Sequence, residues 1–249
     1  MGRVIVAAAA IGAVTLIFVA TRHSASEVPP AEQKPTLYVV FLDLSSSPSP
    51  EQAAFWTQVF DKHIAARLEM GDALLILGAH DNTDAAAPVF DDQSLRVGPD
   101  AGVEEVLKAR RSLAALRENG MAKVREAFAD ANRAAATRLV EGLLRVPKDS
   151  SRNVRIVYFS DMVEDSKLAN LARTPVGSRV AELAREVARA AGLQGGELHG
   201  AAVECVLDNI GIGVPPRTIN SRAALRAFWG ELFAYAGGKL ISFDARVGR

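Results

Sequence analysis

The sequence predicts an α/β fold: a doubly wound, mainly parallel central sheet with helices on both faces, preceded by one N-terminal hydrophobic helix. Three observations predict it. Short, continuous apolar runs recur along the chain and read as strands buried on both faces. Longer stretches with apolar residues at helical spacing alternate with them. One uncharged apolar run at residues 4 to 20 stands apart from both patterns.

That run, "VIVAAAAIGAVTLIFVA", has Arg3 before it, Arg22 after it and no polar face, so it reads as a membrane segment and not as a helix of a soluble core. Residues 1 to 23 are expected to form a transmembrane anchor or a signal peptide, with Ser24 and Ser26 as the small residues a signal peptidase needs. Either fate exports the rest of the chain. Residues 24 to 35, "SASEVPPAEQKP", form a polar, proline-containing linker, and residues 36 to 249 form the folded domain.

Within the domain, strands are expected at "LYVVFL" (37 to 42), "ALLILG" (73 to 78), "VRIVYF" (154 to 159), "GAAVECVL" (200 to 207) and "KLISF" (239 to 243), with "APVF" (87 to 90) as a short edge strand. The first helix has Ser49 as cap and Pro50 at its first position, and carries Phe55, Trp56, Val59, Phe60, Ile64 and Leu68 at helical spacing. A long helical region covers residues 102 to 146, where Val124, Phe128, Ala131, Ala135 and Leu139 repeat on one face. Two further helices are expected at 178 to 191, closing at Gly192, and at 221 to 236, closing at Gly237 and Gly238.

Composition narrows the function classes. At 249 residues, 49% hydrophobic and 23% charged, the chain supports one domain with a proper core. Lys plus Arg and Asp plus Glu both number 29, so no net field draws nucleic acid, which is excluded as a partner. A single cysteine, Cys205, excludes an intramolecular disulfide and paired-Cys zinc sites, and its apolar neighbours make it a core thiol. His23, His63 and His199 show no ligand spacing.

In a sheet of this class, sites form beyond the carboxyl ends of the strands. The stretch "FLDLSSSPSP" places Asp43, Ser45 and Ser47 at alternate positions where the first strand opens into a loop, and residues two apart in extended chain point the same way. "FSDMVEDS" delivers Asp161 to the same rim. These are oxygen ligands of the kind a hard cation prefers, although a serine-rich turn needs no metal. His80, Asp81 and Asp84 read as a polar loop, and Glu164 and Asp165 beside Asp161 as solvated or, at most, as groups that support its ligands from behind.

The D-x-S-x-S pattern at the end of the first strand, a later threonine and an aspartate at the end of the next parallel strand resemble the metal-ion-dependent adhesion site (MIDAS) of von Willebrand factor A (VWA) domains. The resemblance runs through residues 36 to 244 and includes "GDALLIL" and "FWGELFAYAGGKLISF", which look like the family's second strand and last helix-strand unit. It implies a VWA-like domain with Asp43, Ser45, Ser47, Thr137 and Asp161 as ligands of magnesium or manganese. Thr137 lies in "AAATRLVEGLL", inside the stretch whose spacing continues the long helix. The implied function is an exported module, tethered to the cytoplasmic membrane with its domain outside. Its ion would recruit an acidic side chain from a protein partner. A metal-assisted phosphohydrolase at the same rim is the enzymatic alternative. It lacks a second acid at Ser45 for a D-x-D motif, a G-x-S-x-G elbow and a phosphate-cradling glycine loop. A metal-free scaffold of the same fold is the third reading.

Overall fold

The computed structural model describes residues 34–45, 48–81, 83, 85–130, 136–207 and 218–244. The apolar run at 4 to 20, the first part of the linker, His23, Ser47 and Asp84 lie outside the described residues. Among those described, no helix is long and apolar enough to cross a membrane.

Six strands build one sheet: β1 (Thr36–Asp43), β2 (Ala73–Ala79), β3 (Phe90–Gln93), β4 (Asn153–Phe159), β5 (Ala202–Val206) and β6 (Lys239–Asp244). Their order is β3-β2-β1-β4-β5-β6, and every pairing is parallel except that of β3 with β2. The expected edge strand is thus displaced: it starts at Phe90 where residues 87 to 90 were predicted. Pro88 has no N–H for a ladder, and the pairing opens only when Val89 N–H reaches the Ile76 carbonyl at 2.9 Å.

Side chains alternate across the sheet as the period of two requires. Leu37, Val39 and Phe41 of β1 enter one core, and Tyr38, Val40 and Leu42 enter the other. The second core is covered by α1 (Pro50–His63) and α2 (Val103–Ala129), through Trp56, Phe60, Val124 and Phe128. The first is covered by α3 (Leu139–Gly142), α4 (Val180–Ala190) and α5 (Arg222–Tyr235), through Leu139, Val187, Phe228 and Trp229. Helices therefore lie on both faces, as the apolar strands require. Glu204 on β5 is a charged exception; it is buried and pairs with Arg155 of β4.

Local signals set several helix ends. Ser49 caps α1 by accepting from Gln52 N–H at 3.2 Å, and Gln52 returns a bond to the Ser49 N–H, with Pro50 at the first position. The helix stops at His63, and Leu68 joins the core only after a 3₁₀ turn at Ala65–Arg67. Ser221 caps α5 by accepting from Ala224 N–H at 3.2 Å, and Gly192 and Gly237 follow α4 and α5 with φ of 92° and 82°.

The long helical region requires a correction. The helix ends at Ala129, and Leu139 starts a separate four-residue helix on the opposite face of the sheet from Val124 and Phe128. Arg138, at φ −114° and ψ 86°, is not helical. The burial of Leu139, Val140 and Leu143 against β1 and β2 outweighs the local pattern, and the chain, on one face of the sheet at Phe128, has crossed to the other by Leu139.

Candidate metal centre

β1 delivers Asp43 to the carboxyl end of the sheet, fully buried, and the parallel register fixes what stands beside it. Leu42 is aligned with Phe159, so the next residues in line are Asp43 and Ser160. The Ser160 hydroxyl donates to Asp43 Oδ2 at 2.9 Å. On the other oxygen, Asp43 Oδ1 accepts from the Ser45 N–H at 3.1 Å, which turns the chain sharply after the strand and buries Ser45 at 2% exposure.

Thr137 completes the cluster from 94 residues away in sequence. It is 4% exposed, outside any helix, and its hydroxyl lies 3.5 Å from Asp43 Oδ1, long for an O–H···O bond. Because α2 ends at Ala129, the expectation that the helix continues through Thr137 is overturned. The crossing from one face to the other is what carries this hydroxyl over the end of β1. Asp161 is half-buried on the loop after β4, where its Oδ1 accepts from Val163 N–H at 2.9 Å. Between these two, Met162 adopts φ of 60°, a left-handed conformation uncommon for a residue with a side chain. Two bonds hold it there: its N–H donates to Ser160 Oγ at 3.0 Å, and Trp229 Nε1 donates to its carbonyl at 2.9 Å.

Below the rim the floor is aromatic. Phe41 stacks on Tyr158 at 4.6 Å, and Tyr158 contacts Trp229 and Phe233. The Asp43 carboxylate therefore stands at the end of an apolar core, where the oxygens around it carry the electrostatic balance.

A second correction concerns Glu164: of the two positions the sequence leaves open for it, solvated or behind the ligands, the solvated one is overturned. It is fully buried, and its Oε2 accepts from the N–H groups of Leu139 at 2.7 Å and Val140 at 3.2 Å. Burial, the largest cause, raises its pKa to about 8, and the charge of Glu141 adds to the rise. Asp165 keeps its side chain exposed, bonded to Asn170 Nδ2 at 2.8 Å. His80 and Thr83 close a tight turn beyond β2, with His80 N–H on Thr83 Oγ1 at 2.8 Å and the Thr83 hydroxyl on the His80 carbonyl at 2.6 Å. Cys205 is buried, and burial pushes its thiol up.

The structure thus brings Asp43, Ser45 and Thr137 together and places Asp161 on the adjoining loop. It adds Ser160, which the strand register alone could have located. No group of three or more His, Cys, Asp or Glu side chains suited to a metal occurs among the described residues. The cluster is instead one carboxylate with hydroxyls, hard oxygen donors of the type that suits magnesium, which keeps several waters, better than calcium. The residues present fit such an ion.

No protein-family model and no curated protein matches the chain. Solved structures do. The VWA domain of SpRpn10 is similar at 14% identity and a TM-score of 0.36, over 85% of this chain and 89% of that one. An aerotolerance-related membrane protein from Bacteroides fragilis, carrying multiple mutations to serine, is similar at 11% identity and a TM-score of 0.42, over 86% and 92%. The N-terminal domain of TFIIH p34 is similar at 12% identity and a TM-score of 0.37, over 83% and 90%. At these identities and TM-scores the likeness assigns neither family nor role.

Proposed function

We propose that the domain is a cation-dependent protein-interaction module. Asp43, Ser45 and Thr137, with Ser47 and Asp161 from the sequence pattern, would hold magnesium or manganese at the sheet's rim. Held by hydroxyls and waters with few direct carboxylates, the ion would stay electrophilic and attract a carboxylate from a protein partner. The observation that carries the reading is the meeting of Thr137 with Asp43 and Ser160 at one buried point, from three separate segments. A hydroxyl-rich set with one central carboxylate is costly to bury and adds little to a core, so packing alone does not account for it.

Binding and not catalysis is the reading supported, because none of the phosphotransfer or acyl-transfer motifs accompanies the rim acids. The apolar run at residues 4 to 20 would tether the module to the cytoplasmic membrane with the domain outside.

The test is titration of the full chain with magnesium and manganese, then partner capture with and without chelator. Wild type should bind the ion, and Asp43→Ala should lose both ion and partner while still folded by circular dichroism. Capture that persists with chelator, or in Asp43→Ala, would defeat the mechanism.

A further inference from the structure

Glu164 is an expensive residue for the place it occupies. A fully buried carboxyl costs several kcal/mol in lost hydration unless it is well paired, on the order of the figures for buried polar and charged groups. Its Oε1 is buried with no hydrogen-bond partner, as is Glu141 Oε2. Through Oε2 the carboxyl accepts two backbone bonds, from Leu139 N–H and Val140 N–H. These are the first amides of α3, a helix of four residues whose own N-cap, Arg138, supplies no side-chain bond. A serine at 138 would cap such a helix locally at far lower cost. The cap instead comes from 25 residues away, on the loop that also carries Asp161.

The same loop grips the crossing a second time. Asp165 N–H donates to the Thr137 carbonyl at 3.0 Å, and the Glu164 carbonyl is itself held by Leu171 N–H at 2.8 Å, with Leu171 buried. Thr137 is thus bracketed: its own carbonyl is bonded on one side, and the two amides that follow Arg138 are bonded on the other. At the start of this loop, Ser160 bonds Asp43 directly. One loop therefore ties β1, the Thr137 crossing and Asp161 into a single frame.

We propose that Glu164 is a positioning residue for the cation centre: by clamping the Leu139 and Val140 amides it holds the Thr137 hydroxyl over Asp43. The assignment rests on the cation reading for its consequence, but the clamp itself can be read without any ion. Glu164 touches no ion and acts only through the placement of Thr137.

Two measurements on the full chain test it. The first is a double-mutant cycle in manganese affinity with Glu164→Ala, Glu164→Gln, Thr137→Ala and the Glu164→Ala/Thr137→Ala pair. Glu164→Ala should weaken binding about tenfold or more, as loss of a group that orients a metal ligand does. Glu164→Gln keeps an oxygen that accepts both amides and should stay within about threefold of wild type. In the Thr137→Ala background, Glu164→Ala should cost less than about twofold, since its route of action is already gone. Unchanged affinity in Glu164→Ala, or a full additive loss in the pair, overturns the proposal.

The second measurement is amide hydrogen exchange without metal, which separates this proposal from the cation reading. Glu164→Ala should speed exchange at residues 136–140 by about tenfold or more while β1 and β4 keep their protection. If wild type binds no manganese, the cation reading fails and exchange alone decides the clamp. Unchanged exchange at 136–140, or a uniform loss across the sheet, sinks the assignment.

Discussion

Glu164 carries its carboxyl into a space closed to solvent, and its raised pKa of about 8 has a consequence for stability. Burial lifts it most and Glu141 adds to the rise, while the Ser166 hydroxyl and the Leu139 and Val140 amides oppose them. Unfolded, the group titrates near the ordinary glutamate value, about 4.3. Between those two values the folded chain holds a proton that the unfolded chain has released, so stability from this group is full below about 4.3 and falls as pH rises through about 8. Scanning calorimetry should therefore show wild type losing melting temperature from pH 5 to pH 8.5, relative to Glu164→Gln, which cannot titrate. Parallel pH profiles for the two proteins would refute that. At this scale the sequence is readable only where geometry is local. Asp43, Ser45 and Asp161 can be read because strand ends and a period of two place them. Ser160 needs the β1–β4 register, which brings it alongside Asp43. Glu164 is hidden among the acids of "MVEDS", because its burial is decided by two amides 25 and 24 residues back along the chain.

Elements whose ends are written in neighbouring residues are legible, and those decided by distant packing are not. Ser49, Pro50 and Gln52 lie within four positions and define the start of α1 without reference to the rest of the molecule. The break between α2 and α3 has no such mark. The alanines at 131 and 135 suit a helix, and Leu139 continues the spacing of Val124 and Phe128 while packing on the opposite face of the sheet. Gly142 shows how closely α3 is then held. A Cβ there would lie 2.6 Å from Phe41 Cε1 and 3.2 Å from Thr83 Cγ2, and Phe41 is stacked on Tyr158 and cannot swing away freely. Gly142→Ala should push α3 outward and cost about 1–3 kcal/mol, the range for overpacking a filled core. Since α3 follows Thr137 directly, ion affinity should fall along with stability. Urea unfolding that matches wild type would show that α3 shifts without strain.

Taken whole, the chain carries a balanced set of charges and one intensely apolar segment, and on the tether reading proposed above that contrast would govern where the molecule resides. The chain's 29 basic and 29 acidic residues balance, which leaves no general attraction to an anionic membrane surface, so retention at a membrane would have to come from residues 4 to 20. As a helix that run would reach roughly 25 Å, somewhat short of a hydrocarbon core of about 30 Å. Arg3 and Arg22 at its ends have long side chains that can extend to the headgroups and cover the difference. A basic residue ahead of the run favours an N-terminus held inside, which sends the linker and domain to the other side. A reporter active only outside the cytoplasm, fused after Arg249, should therefore be active and should fractionate with membranes. Ile11→Asp, which puts a charge near the middle of the run at a cost of about 2.5–3.5 kcal/mol, should weaken that retention. Activity of a reporter that works only in the cytoplasm, or membrane retention after residues 4 to 20 are deleted, would show that the domain is held by some other contact.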